Sequence, residues 1–306
     1  VIGWALLAGL AALAAAPFAV EWRKPPMSDA RRTAAPGHFA RLSRGGTHYR
    51  WYGDRTEGPV AVCVHGLTTP SFVWDGVAAD MVAHGWRVLA FDLYGRGWSD
   101  RPPGPQDREF FLEQLEEIIR HEGLKGDITL VGYSMGGAIA ACYAARNPQM
   151  LRRLALIAPA GMGQVPQRLE RRCAGWPVLG DWLFRLRFPR RHRRAAELLH
   201  RNEGVAREVA AAQAAELDTR GFVPAVLSSL RGMLSETLET EHRAIAAAKL
   251  PVLAIWATAD ALIPLSHMGR LTAWNRDARQ VQVKGASHWL PLTHPREVAR
   301  ALRGSD

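Results

Sequence analysis

LVGYSMGGAIAA, residues 130–141, sets one serine among three glycines where an apolar run meets an alanine-rich stretch. ITLVGYS (128–134) has the apolar, β-branched make-up of a buried strand, and 135–147 that of a helix. A strand that turns at once into a helix strains the residue at the corner. It also brings the residues two before and two after too close for a Cβ, a need that Gly132 and Gly136 meet. Two readings are open from this stretch alone: a tight turn without chemistry, or a corner that holds Ser134 out for attack. The second needs partners, because a serine hydroxyl is a poor nucleophile without a general base oriented by a third group. A helix starting at Met135 would also aim its unpaired N–H groups and positive end at whatever Ser134 attacks.

Partners stand downstream. IWATADALIP places Asp260 just past an apolar strand, where catalytic groups gather at the C-terminal ends of sheet strands. VKGASHWLPL then places His288 after the last strand. The order Ser134, Asp260, His288 is nucleophile, acid, base. On these residues the chain resembles the α/β-hydrolase superfamily over roughly 38–306, apart from most of a helical insertion. Within that resemblance, VCVHGLTTP looks like the His-Gly segment at His65 and Gly66, whose next residue, Leu67, would supply an oxyanion-hole N–H together with Met135. FDLYGRGWSDRP resembles the family's D-x-x-G-x-G-x-S loop, at Asp92, Gly95, Gly97 and Ser99. LIAPAGMG offers no carboxylate at the alternative acid position one strand earlier, so Asp260 takes the role. His65 is read as a brace for the oxyanion loop, and His294 as a surface or packing residue. Read otherwise, His288 would be a capping histidine at a helix start and Asp260 a turn or helix-cap residue.

The rest of the pattern fits that architecture. Strands are expected at 38–43, 47–53, 60–66, 86–92, 128–134, 152–159, 251–257 and 279–285, with helices around 72–84, 107–123, 135–147 and 288–303. Such alternation predicts a mostly parallel eight-stranded sheet covered by helices on both faces. The core is expected in two parts, 38–160 and 250–306. Between them, 161–249 is charged and alanine-rich without a convincing strand, and reads as a helical cap. GMGQVP (161–166) lacks the third glycine of a dinucleotide fingerprint.

Composition bounds the rest. The 306 residues carry 39 Lys and Arg against 29 Asp and Glu, a formal charge of +10 that attracts anionic surfaces. Cys63, Cys142 and Cys173 are isolated, give no disulfide framework or metal pair, and read as packing residues. No HExxH or paired His/Cys cluster calls for a metal, and the chemistry needs no cofactor. Residues 1–20 hold no charge, and a helix of that length spans roughly 30 Å of hydrocarbon. This segment reads as a membrane anchor, followed by a proline-rich, charged linker at 21–37. Arg23, Lys24, Arg31 and Arg32 behind it place the catalytic domain in the cytoplasm by the positive-inside rule. The competing readings are a buried core helix, for which the segment lacks a polar stripe, and a cleaved signal peptide with a secreted or periplasmic enzyme, against which stand Pro17 and the lack of a basic leader. RLRFPRRHRR (185–194) carries six arginines near Trp182, Phe184 and Phe188. It reads as a solvated cap face or an anionic-lipid contact, with no nucleic-acid module to favour the third option.

The sequence therefore predicts a serine hydrolase of lipophilic carboxylic esters, such as a monoacylglycerol or a medium-chain acyl ester. Ser134 rules out the aspartate nucleophile that the resemblance gives to epoxide hydrolases and haloalkane dehalogenases. Two alternatives stand: a carbon–carbon bond hydrolase, whose usual Gly-Pro-Gly loop HGLTTPSF lacks, and a non-catalytic relative that binds a small ligand.

Overall fold

The computed structural model describes residues 2–163 and 168–304, so part of GMGQVP (164–166) lies outside the described residues. Eight strands form one sheet: β1 (His38–Leu42), β2 (Gly45–Tyr52), β3 (Val60–Val64), β4 (Arg87–Phe91), β5 (Ile128–Tyr133), β6 (Leu151–Ile157), β7 (Val252–Ala257) and β8 (Arg279–Val283). Their order is β1-β2-β4-β3-β5-β6-β7-β8. The β1/β2 and β2/β4 pairs are antiparallel, and every pair from β4 to β8 is parallel. All eight strands lie within a residue or two of the expected runs.

Alternation along each strand builds two cores. Val62, Leu89, Leu130, Leu154 and Ala254 point to one face. There they meet α4 (Arg108–His121), α5 (Met135–Arg146), α10 (Glu239–Ala247) and α11 (His267–Trp274). Ala61, Val88, Val131, Ala155 and Leu253 point to the other, against α3 (Asp75–Ala83) and α13 (Pro295–Arg303). Continuous burial of β5 and β7 explains their unbroken apolar sequences.

Between β6 and β7 the chain leaves the sheet for α6 (Arg168–Gly175), α7 (Leu179–Glu203), α8 (Arg207–Ala215) and α9 (Phe222–Arg231) before α10. These helices carry a small core of their own around Phe184, Phe188, Phe222 and Val226. They roof the C-terminal edge of the sheet.

Two expectations need correcting. The single helix expected at 288–303 is broken into α12 (Leu290–Thr293) and α13, because a residue before proline is driven out of the helical region, and His294 precedes Pro295. The stretch 21–37, expected as a linker without elements, begins inside α1 (Ile2–Arg23) and contains α2 (Asp29–Arg32). It is docked by ionic contacts that no local pattern reveals. Arg32 pairs with Asp100 at 2.5 Å, and the Gly221 N–H donates to Glu21 at 2.8 Å.

Among the described residues, α1 is the helix long and apolar enough to cross a membrane, holding within Gly3–Arg23 an 18-residue window of mean hydropathy 1.8, none of it buried. Its second half leans on α7. The Trp182 indole donates to the Leu13 carbonyl at 3.2 Å, and the Arg185 guanidinium lies 4.6 Å from the Phe18 ring centre.

The D-x-x-G-x-G-x-S loop acquires a physical reason. Asp92, at the end of β4, is buried and accepts from His48 Nδ1 (2.7 Å), the Ser71 N–H (2.8 Å) and the Trp98 N–H (2.9 Å). Gly97 has φ +52°, and a Cβ there would overlap the Asp92 carboxylate. Ser99 Oγ closes the loop onto the Asp92 carbonyl at 2.6 Å. Burial pushes the Asp92 carboxyl up, but the hydrogen bond and charge of His48 outweigh it and hold it well below the usual carboxylate range. Burial likewise pulls His48 down, and Asp92 outweighs it to leave the imidazole above its ordinary value.

Stability linkage follows in sign. The raised His48 contributes fully below its unfolded pKa of about 6.5 and loses that contribution as pH rises through its folded value. The depressed Asp92 contributes above about 4 and loses its part as pH falls toward its folded value. His48→Gln should therefore lower Tm most between about pH 4 and 6.5, and progressively less above that range. Thermal unfolding of both proteins from pH 4 to 9 checks it; a Tm difference independent of pH contradicts the ion pair.

Candidate active site

Ser134 sits at the β5–α5 corner with φ +53° and ψ −117°, a conformation that an L-residue adopts only under constraint. The constraint is visible on both sides. The Ser134 N–H donates to the Ile157 carbonyl at 3.0 Å, and its own carbonyl accepts from Gly137 (2.9 Å) and Ala160 (3.0 Å). A Cβ on Gly132 would strike the Gly136 carbonyl, and one on Gly136 would strike the Val64 carbonyl at the end of β3. Both glycines are there because backbone passes where side chain would be.

The three sequence-predicted side chains meet across 154 residues of chain. His288 Nε2 lies 3.0 Å from Ser134 Oγ, and His288 Nδ1 lies 2.7 Å from Asp260 Oδ2. Asp260 stands in the turn after β7, with its side chain almost wholly buried at 1% exposure. Its second oxygen, Oδ1, accepts the N–H groups of Leu262 (2.7 Å) and Ile263 (2.8 Å), which fixes the carboxylate plane. The loops that carry the pair are tied together: the Ala259 N–H donates to Ala286, and the Gly285 N–H to Thr258 Oγ1 at 2.8 Å. An Asp–His–Ser line of this kind can move a proton from a hydroxyl to an imidazole while holding the imidazole in one tautomer.

The predicted oxyanion donors flank the serine. Met135 is the first residue of α5, so its N–H has no partner within the helix. A Cβ on Gly66 would come within 3.3 Å of Ser134 Cβ, which puts the Gly66–Leu67 loop against Ser134. His65 is wholly buried, its Nδ1 2.8 Å from the Gly66 carbonyl and its Nε2 accepting the Leu93 N–H at 2.8 Å. Burial lowers its pKa to about 4, so it stays neutral and can hold both bonds. It touches neither Ser134 nor Asp260 in the hydrogen-bond network. His294 bonds to Thr293 Oγ1 at 2.8 Å, away from the other three.

Two residues escaped the sequence reading. Arg96, in the loop after β4, is fully buried and donates to the Leu67 carbonyl at 2.9 Å, to Tyr94, and to Ser229 on α9 at 2.8 Å. Burial lowers its pKa to about 9. It ties the Gly66–Leu67 loop to the helical roof. Tyr133 donates its hydroxyl to the His288 carbonyl at 2.9 Å, and its ring lies 5.3 Å from the imidazole. Arg96 occupies an unspecified position of its motif, so its type carried no signal; Tyr133 read only as a strand residue.

Below the roof lies a cavity of about 300 Å³. Ser134, His288 and Leu67 line its floor, and Phe188, Val226, Leu230 and Leu234 much of its upper wall.

Comparison with known proteins agrees with this architecture. A family model described as alpha/beta hydrolase fold matches residues 59–295. An uncharacterized protein of Mycobacterium tuberculosis is 28% identical over 167 residues, 55% of this chain and 48% of that one, so the chain spans about half the length of this curated relative. The 2-hydroxymuconate semialdehyde hydrolase of Pseudomonas putida is 27% identical over 262 residues, 81% of this chain and 87% of that one. Among solved structures, a membrane phospholipase A superposes with a TM-score of 0.72 at 21% identity, covering 99% of this chain and 96% of that one, a likeness of fold. The strand order, the strained serine corner and the family model together establish that the chain belongs to the α/β-hydrolase fold family.

Proposed function

We propose that this protein is a serine hydrolase of lipophilic carboxylic esters, held at a membrane by α1. The observation that carries the reading is the continuous line Asp260–His288–Ser134, at 2.7 and 3.0 Å, ending on a serine in a strained corner. Ser134 Oγ attacks the ester carbonyl as His288 Nε2 takes its proton. Asp260 Oδ2 accepts the Nδ1–H bond, which fixes the tautomer and stabilises the imidazolium. The N–H groups of Leu67 and Met135 receive the oxyanion, each worth about 3 kcal/mol to the transition state. Collapse expels the alcohol with the proton from Nε2 and leaves an acyl group on Ser134. Water, deprotonated by the same imidazole, then releases the acid.

Lipophilicity of the substrate is supported by the aliphatic and aromatic lining and by the exposed apolar surface beside the roof. Trp4, Leu7 and Leu10 on α1 are exposed, as are Trp176, Val178 and Leu179 at the start of α7, the helix that α1 touches. A cavity of about 300 Å³ stands at the small end of the range for ligand pockets, roughly 300–1,000 Å³, which favours medium over long acyl chains. The basic run 185–194 on α7 supports contact with anionic headgroups from the cytoplasmic side. A carbon–carbon bond hydrolase is the second reading, favoured by the likeness to 2-hydroxymuconate semialdehyde hydrolase. It uses the same three residues but must protonate a carbon leaving group.

Asp260→Asn should reduce kcat by about 10⁴, since an amide presents the wrong partner to Nδ1. His288→Ala should lose at least as much, and the double variant little more than the worse single one, because the groups act as a unit. Steady-state kinetics on p-nitrophenyl butanoate with folded variants checks this; near-normal kcat in either single variant contradicts the assignment.

For p-nitrophenyl esters from acetyl upward, kcat/KM should rise by about fourfold per methylene until the cavity is full, from a burial free energy of about 0.8 kcal/mol per methylene. A maximum at acetyl contradicts the lipophilic reading and leaves a small-ester or carbon–carbon hydrolase.

A further inference from the structure

Natural interiors rarely bury a polar side chain without a partner, because an unmade hydrogen bond in a buried place costs its full desolvation. Gln213, near the end of α8, is fully buried, and neither its Nε2 nor its Oε1 has a hydrogen-bond partner among the described residues. It lines the cavity that Ser134 and His288 line from below. Glu170, on α6, lines the same cavity; its Oε1 pairs with Arg191 at 3.1 Å, while its Oε2 is buried without a hydrogen-bond partner among the described residues. The upper wall is otherwise largely aliphatic and aromatic. An apolar chain alone would leave these atoms unsatisfied whenever it filled the space.

The backbone that carries the amide is held in place. His192 Nε2 lies 2.9 Å from the Gln213 main-chain carbonyl, and the imidazole is stacked on Phe188 at 5.3 Å and leans on Phe222 at 5.4 Å. Burial lowers the His192 pKa, so it is a neutral donor at ordinary pH and pins α8 to α7 beside Gln213. A buried amide, which offers both N–H donors and a carbonyl acceptor, suits a group that is itself both.

We infer that Gln213, with Glu170 beside the same cavity, forms a polar subsite in the roof that recognises a free hydroxyl on the ester, so that the preferred substrates are hydroxyl-bearing esters rather than plain alkyl esters. The hydroxyl accepts from Gln213 Nε2 or donates to Oε1, and a second hydroxyl has Glu170 Oε2 as its acceptor. The inference rests on the ester-hydrolase reading and adds the chemistry of the bound group. Gln213 is a specificity residue: it takes no part in bond making or breaking.

Two matched substrate pairs test it, each differing by hydroxyls alone. Glyceryl butanoate against propyl butanoate probes the alcohol side, and p-nitrophenyl 3-hydroxybutanoate against p-nitrophenyl butanoate probes the acyl side. The wild type should favour the hydroxylated member of at least one pair by about 10- to 100-fold in kcat/KM, the range expected when an unpaired buried polar group is satisfied. In Gln213→Leu that preference should fall to less than about threefold. The ratio is internal to each preparation, so any loss of folded protein cancels. Gln213→Leu should also keep or raise Tm, because it replaces an unsatisfied amide with an apolar group of similar size. A wild type without preference in either pair, or a preference that Gln213→Leu retains, overturns the inference while leaving ester hydrolysis intact. Failure to turn over any of the four esters would instead remove the ester reading itself.

Discussion

Helix α5 approaches the end of β3 so closely that no side chain fits between them, and the rest of the site depends on that approach. A Cβ on Gly136 would coincide with the Val64 carbonyl. With α5 drawn in this far, the turn from β5 has one residue in which to reverse, and Ser134 takes φ +53°. Strain of this kind costs on the order of 1–3 kcal/mol and persists only where the surroundings over-determine it. Here three backbone hydrogen bonds do so, to Ile157, Gly137 and Ala160. In return Oγ stands clear of the sheet, and the first N–H groups of α5 lie beside it, ready for negative charge.

Around that corner the molecule uses buried polar groups as joints. Asp92 gathers the loop after β4 by accepting from His48, Ser71 and Trp98. Arg96, held in that loop, reaches the Leu67 carbonyl on one side and Ser229 of the roof on the other. The Gly97 N–H donates to Glu216, just past α8, at 2.8 Å. The Gly66–Leu67 loop, the sheet edge and the roof are thus one hydrogen-bonded unit. A shift of the roof would be felt at Leu67 without passing through the cavity. Buried charges contribute little net stability when paired, but removing one partner leaves the other uncompensated, which makes such joints selective about geometry.

The centre of the sheet was legible because its strands are buried on both faces and read as apolar runs; β5 and β7 have no exposed position to interrupt them. Ser134, Asp260 and His288 were legible for a different reason. Each sits at the C-terminal end of a strand or just beyond one, and the glycines at 132 and 136 report a close approach that local sequence must accommodate. What escaped notice depends on distant partners. Arg96 was hidden because its contacts with Ala225 and Ser229 lie more than 120 residues away. The docking of 21–37 was hidden because the Arg32–Asp100 and Glu21–Gly221 contacts join residues 68 and 200 positions apart. Gln213 carries no signal of its own in an alanine-rich stretch; only the folded roof turns it toward the cavity that Ser134 lines, with no hydrogen-bond partner among the described residues.

The central claim is that this corner makes Ser134 a nucleophile. Incubation of the full chain with a fluorophosphonate, followed by peptide mapping by mass spectrometry, tests it most directly. The account predicts one adduct, on the peptide containing Ser134, absent in Ser134→Ala. No adduct on the folded wild type, or an adduct that persists in Ser134→Ala, would contradict it.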